Sequence, residues 1–137
     1  GVGGIGNGGV GSGGISYGSP SNPTDPGSGG VGATGGAGGG AVRIAATGQV
    51  TINGMVNASG GPNTSAGSGH APGSGGSIYI TCDTFAGTNG TLNVSGGNSI
   101  DSAGGGAGGR LAIAYSSHQV TGMNIVAIAA ITSSRRN

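Results

Sequence analysis

The sequence predicts an all-β fold: stacked β-solenoid repeats, like a parallel β-helix, with glycine-rich loops and an N-terminal glycine/proline-rich segment that is polyproline II or irregular. Three observations predict it. Thirty-eight of the 137 residues are glycine, and they cluster in blocks such as Gly38-Gly39-Gly40 and Gly104-Gly105-Gly106. Segments that alternate apolar and polar residues follow the blocks, among them Ala41-Val42-Arg43-Ile44-Ala45 and Ser77-Ile78-Tyr79-Ile80-Thr81. These segments also recur along the chain. Glycine loses the most conformational freedom on folding, so a chain this rich in it needs a compensating geometry. Close backbone-to-backbone approach, in a stacked solenoid or a polyproline II bundle, supplies one.

Residues 1–36 form a low-complexity Gly/Pro-rich segment. Glycine falls at every third position in places (Gly3, Gly6, Gly9; Gly27, Gly30), and Pro20, Pro23 and Pro26 are also three apart. That spacing matches the three-residue turn of polyproline II. Extended segments packed on the rest, or a long loop, both satisfy it. Residues 37–137 read as the β-repeat domain. Gly40-Ala41-Val42-Arg43-Ile44-Ala45 aligns with Gly76 to Thr81 thirty-six residues later, and again with Gly109 to Ala114. At the same offset, Asn53 to Gly61 aligns with Asn89 to Gly97. Each unit therefore reads as glycine block, strand, turn, strand, glycine block.

Period two assigns the faces of these strands. Val42, Ile44, Val50, Ile52 and Val56 point inward in the first unit. Ile78, Ile80, Leu92 and Val94 do so in the second, and Leu111, Ile113 and Tyr115 in the third. Arg43, Thr51, Asn57, Tyr79, Thr81, Asn93 and Arg110 point outward. No unit can bury its apolar face alone, so stacking is required. Cys82 continues the inward row and, as a single cysteine, reads as a small buried hydrophobe with no internal disulfide. Residues 124–132 read as an apolar C-terminal strand, covered on both faces or inserted into a neighbouring subunit. Ile125, Val126, Ile128 and Ile131 are its assembly residues.

Composition and motif context exclude several classes. The formal charge is +1, with four arginines, three aspartates and neither lysine nor glutamate. Nucleic-acid binding needs clustered cations, and Arg135-Arg136 alone does not supply them. No run reaches the roughly 18 apolar residues of a membrane helix, and a start at Gly1 fits a mature or excised piece. Gly1 to Gly6 and Gly104 to Gly109 fit G-x-G-x-x-G, but neither lies between a strand and a helix. Gly14-Ile15-Ser16-Tyr17-Gly18 fits G-x-S-x-G without the flanks of a nucleophile elbow. His70, in a glycine/serine loop, and His118, in a turn, lie in different units from Cys82, which disfavours zinc. No enzyme, cofactor or metal site is expected.

The strings Gly39-Gly40-Ala41-Val42-Arg43-Ile44, Val50 to Gly61, Gly75 to Ile80 and Gly108 to Tyr115 resemble the glycine-rich repeats of large secreted surface proteins. In those, patterns such as GGAIRI…VTINGTISANGG and GGRIAIYY recur. The resemblance covers roughly residues 37–117. It implies an extracellular, β-rich structural segment and carries over no catalytic residue. In that setting the sequons Asn57-Ala58-Ser59, Asn63-Thr64-Ser65, Asn89-Gly90-Thr91 and Asn93-Val94-Ser95 become glycosylation candidates. Asn57 and Asn93 occupy equivalent places and alternatively form a stacked asparagine ladder.

The leading functional expectation is a secreted structural protomer whose partners are copies of itself, assembling into a filament or surface layer by strand pairing or rung stacking. Glycans are the other expected partner class. An ice-binding protein and an adhesin or glycan-binding segment are the alternatives. Ice binding needs a regular outward array of Thr or Ala, and glycan binding needs exposed aromatics among Tyr17, Tyr79, Phe85 and Tyr115.

Overall fold

The computed structural model describes residues 15–65, 69–100, 104–126 and the backbone of 131–135. The described residues contain ten strands and no helix. They are β1 (Ala41–Ala45), β2 (Gln49–Thr51), β3 (Met55–Asn57), β4 (Ser77–Thr81), β5 (Thr84–Thr88), β6 (Thr91–Asn93), β7 (Arg110–Tyr115), β8 (Ser117–Thr121), β9 (Asn124–Val126) and β10 (Ile131–Arg135). They form three parallel sheets in the orders β1-β4-β7-β10, β2-β5-β8 and β3-β6-β9. Each strand thus pairs with the one three places later, and three consecutive strands place one member in each sheet.

This corrects the expected two strands per unit: each pass of the chain carries three. The register reproduces the sequence repeat, with Val42 beside Ile78 and Ile78 beside Leu111. Val56 lies beside Leu92, and Leu92 beside Ile125. Every position assigned inward lies in the core cluster or packs against it. Ile78, Ile80, Leu92 and Val94 are completely buried.

The run from residue 124 to 132 is not one strand. Asn124–Val126 is β9 of the third sheet, whereas β10 starts at Ile131 and pairs with β7 of the first. Ile125 is 37 % exposed, so this chain by itself does not cover both of its faces. Ile128 falls outside the described residues. His118, expected in a turn, belongs to β8 and pairs with Phe85.

The glycine blocks form a second layer rather than loops. Between the third strand of one pass and the first of the next, the chain leaves the sheets and returns as two extended arms. Arm residues 58–61 and 73–76 are joined by Gly73 N–H to Gly61 C=O and Gly76 N–H to Ala58 C=O. Gly106 to Gly97 and Gly109 to Val94 repeat that arrangement, as do Gly30 to Gly36 and Gly27 to Gly39. Neighbouring pairs of arms are joined the same way, for instance by Gly36 to Ala71 and Gly39 to Ser74. Donors and acceptors recur every third residue, the period of polyproline II. These bonds run across residues 36 and 37, where the composition changes. Gly76 shows why glycine is required: a Cβ there would lie 1.8 Å from the Gly40 carbonyl oxygen.

Residues 15–26 lie against the same layer. Tyr17 donates its hydroxyl to the Pro26 carbonyl at 2.7 Å, and Ser77 Oγ donates to the Asp25 carbonyl at 2.8 Å. Pro23 is fully buried.

Candidate functional site

The first three strands have no partner on their outer side among the described residues. Val42, Ile44, Ile52 and Val56 occupy inward positions but are only half-buried, while the residues beside them one strand further in are closed off. Ile44, for example, adjoins Ile80, which is 0 % exposed. Among the described residues, a row of apolar side chains and a row of backbone groups without a strand partner therefore coincide on one end of all three sheets. Parallel pairing in register is a property of these sequences, already realised between β1 and β4. An edge of this kind is a template for further strands.

The outer face of the second sheet is the second candidate surface. Its rows are Gln49-Thr84-Ser117, Thr51-Ala86-Gln119 and Thr88-Thr121. None of these residues is charged. Hydroxyls connect within the face, with Thr84 Oγ1 2.9 Å from Ser117 Oγ and Gln49 Nε2 donating to Thr51 Oγ1 at 2.8 Å. Sequence reasoning missed this face because β5 and β8 lack regular apolar alternation. Only the offset of thirty-three to thirty-five residues from their neighbours signals them.

The first sheet presents a different outer face. Arg43 and Tyr79 lie side by side, the guanidinium carbon 5.9 Å from the ring centroid. They border an open cleft of about 390 Å³ together with Ala46, Thr81, Cys82, Asp83, Ala114 and Ser116. Cys82 is half-buried, and burial pushes its thiol above the ordinary value, with the neighbouring Asp83 charge adding to the effect. A thiol so raised is a poor nucleophile.

The sequon asparagines separate. Asn57 and Asn93 are adjacent in the third sheet, as the repeat requires. Each turns its Oδ1 back to the N–H two residues on, Ser59 at 3.2 Å and Ser95 at 3.0 Å. Asn57 is exposed and Asn93 half-buried. Asn89 is exposed, in a left-handed turn at φ 54°. Asn63 is the exception, only 1 % exposed. It donates to the Ser65 carbonyl and accepts from the Ile100 N–H, so its amide tethers two arm tips and cannot carry a glycan in this fold. Of the assembly residues, Ile125 and Val126 lie in β9, and Ile131 in β10 pairs with Leu111.

The aromatics do not converge on one surface. Phe85 stacks on Tyr115 at 6.5 Å, and Tyr115 meets His118 edge-on at 5.4 Å, while Tyr79 and Tyr17 lie elsewhere. Among the described residues no three His, Cys, Asp or Glu side chains approach one another closely enough to hold a metal ion. No helix there is long and apolar enough to cross a membrane. No protein family, curated protein or solved structure matches the chain.

Proposed function

We propose that this chain is a non-catalytic building block of an extracellular filament or surface layer, in which copies join end to end so that strands of one continue the sheets of the next. On this reading the three sheets are the faces of a β-solenoid and the glycine arms are a backbone-packed rib along one corner. The assignment to the cell exterior rests on the resemblance to secreted surface repeats. One observation carries the assembly reading: inward residues that are closed off in the second pass stand half-open in the first, on an edge whose backbone groups are unpaired. Covering that edge with another strand set in the same register would bury four aliphatic side chains, and buried apolar area stabilises by roughly 25 cal/mol per Å². The near absence of charge leaves little to oppose association.

Replacing Ile44 by Lys puts a charge on the inward row of the open edge, a device that blocks edge pairing. The wild-type chain is expected to form elongated particles in negative-stain electron microscopy, and Ile44→Lys to stay monomeric with an unchanged β circular-dichroism spectrum. Equal assembly by the variant, or a wild-type chain that stays monomeric at high concentration, overturns the proposal.

Ice binding is a second reading, favoured by the uncharged outer face of the second sheet. Strands about 4.8 Å apart, with same-face residues about 6.8 Å apart along each, set hydroxyls on a two-dimensional lattice. Purified chain should then hold a gap between melting and freezing points that Thr84→Lys with Thr121→Lys removes. Wild-type protein without such a gap eliminates this reading.

A further inference from the structure

The molecule has few charges, yet two opposite ones line a single cleft. Arg43 projects from the outer face of β1 and Asp83 follows the end of β4. Among the described residues, neither the guanidinium nor the carboxylate has an ion-pair partner. Backbone bonds hold Asp83 in place: its N–H donates to Gly48, and its carbonyl accepts from Ser116 and Ser117 at 3.0 and 2.9 Å. Arg43 is held by the Tyr79 ring, within the roughly 6 Å reach of a cation–π contact. Among the described residues, the hydroxyls of Tyr79, Thr81 and Ser116 also border the cleft without a hydrogen-bond partner, and Ala114 adds a small apolar surface.

We propose that this cleft is a binding subsite for neutral sugar residues of a polysaccharide. The chemistry follows from the lining. A carboxylate accepts hydrogen bonds from sugar hydroxyls, and a guanidinium donates to hydroxyl and ring oxygens. Charge-assisted bonds of this kind are the strong ones. Paired opposite charges disfavour a strongly anionic or cationic ligand, because each ligand charge would face one like charge. A zwitterion would match the charges but would bind through solvent-exposed ion pairs, which contribute little. A sugar instead uses the three hydroxyls and the Tyr79 ring edge as well. The volume lies within the usual range for small-ligand sites. One cleft per chain gives weak binding, and an array of copies along an assembly multiplies it through avidity.

The test is an amide chemical-shift titration of the full isotope-labelled chain with cellohexaose and mannohexaose, beside glycine as a zwitterion and a sulfated heparin oligosaccharide as an anion. Shifts from a neutral oligosaccharide at Arg43, Tyr79, Thr81, Asp83 and Ser116 are expected. Asp83→Ala and Arg43→Ala should each weaken binding about tenfold or more, the worth of one hydrogen bond to a charged group. Circular dichroism verifies the fold of each variant. Absence of shifts with both neutral sugars, shifts from glycine or the sulfated chain alone, or unchanged affinity in both variants overturns the proposal. The titration is read on dispersed chain below the concentration at which copies assemble, so its outcome is distinguishable from that of the assembly test.

Discussion

A methyl group added at position 76 would meet the Gly40 carbonyl oxygen at 1.8 Å and the Gly39 backbone at 2.6 Å. Backbone atoms cannot yield as a flexible side chain would. Gly76→Ala is therefore expected to destabilise by about 3 kcal/mol or more, at or beyond the upper end for overpacking. Gly54 is the contrast, with open space where its Cβ would be. Gly54→Ala should be neutral or stabilise by up to about 1 kcal/mol, through the unfolded chain. Urea denaturation of the two variants reads the difference. Composition makes these two glycines look alike, and only the fold distinguishes them. Asn63 was equally opaque: its sequon matches the exposed ones, but its amide is spent on Ser65 and Ile100.

At the scale of elements, β1 and β4 carry the same pattern, yet β4 lies between two strands and β1 beside one. Ile80→Ala should cost about 2–5 kcal/mol, as buried aliphatic truncations do. Ile44→Ala should cost about 1 kcal/mol in dispersed chain, because part of its surface is already wet. Chemical denaturation of dilute protein checks the ranking. These strands were legible because Val42, Ile44, Ile78, Ile80, Leu111 and Ile113 alternate and recur. The strands β5 and β8 were not. Their inward rows read Phe85-Gly87 and His118-Val120, so each offers one aliphatic or aromatic signal interrupted by a glycine or an imidazole. The apolar C-terminal run misled for the opposite reason: continuous hydrophobicity gave no sign that β9 and β10 belong to different sheets.

The whole molecule combines two packing modes that share a boundary. The sheets are held by side-chain ladders, and the arms by main-chain hydrogen bonds with almost no side chains between them. Sequence reading recognised both ingredients but not their connection, because hydrogen bonds between glycine segments leave no apolar pattern. The cleft was hidden likewise, since Arg43 and Asp83 are brought together only by the pairing of β1 with β4. The open edge, by contrast, follows from the parallel pairing itself: among the described residues β1, β2 and β3 each have a neighbour on one side.

The three-strand passes, residues 41–57, 77–93 and 110–126, have equal overall lengths, so the change in repeat length falls in the excursions between them. The register advances thirty-six residues from Ala41 to Ser77 and thirty-three from Ser77 to Arg110, a difference of three. An arm with three residues per turn presents the same edge to its neighbours only when its length changes by whole turns. Adding or removing one residue would rotate the glycine edge away and drive a side chain into a facing carbonyl. The layer thus behaves like a reading frame written in folded backbone: its arms keep their contacts when they lengthen or shorten in triplets.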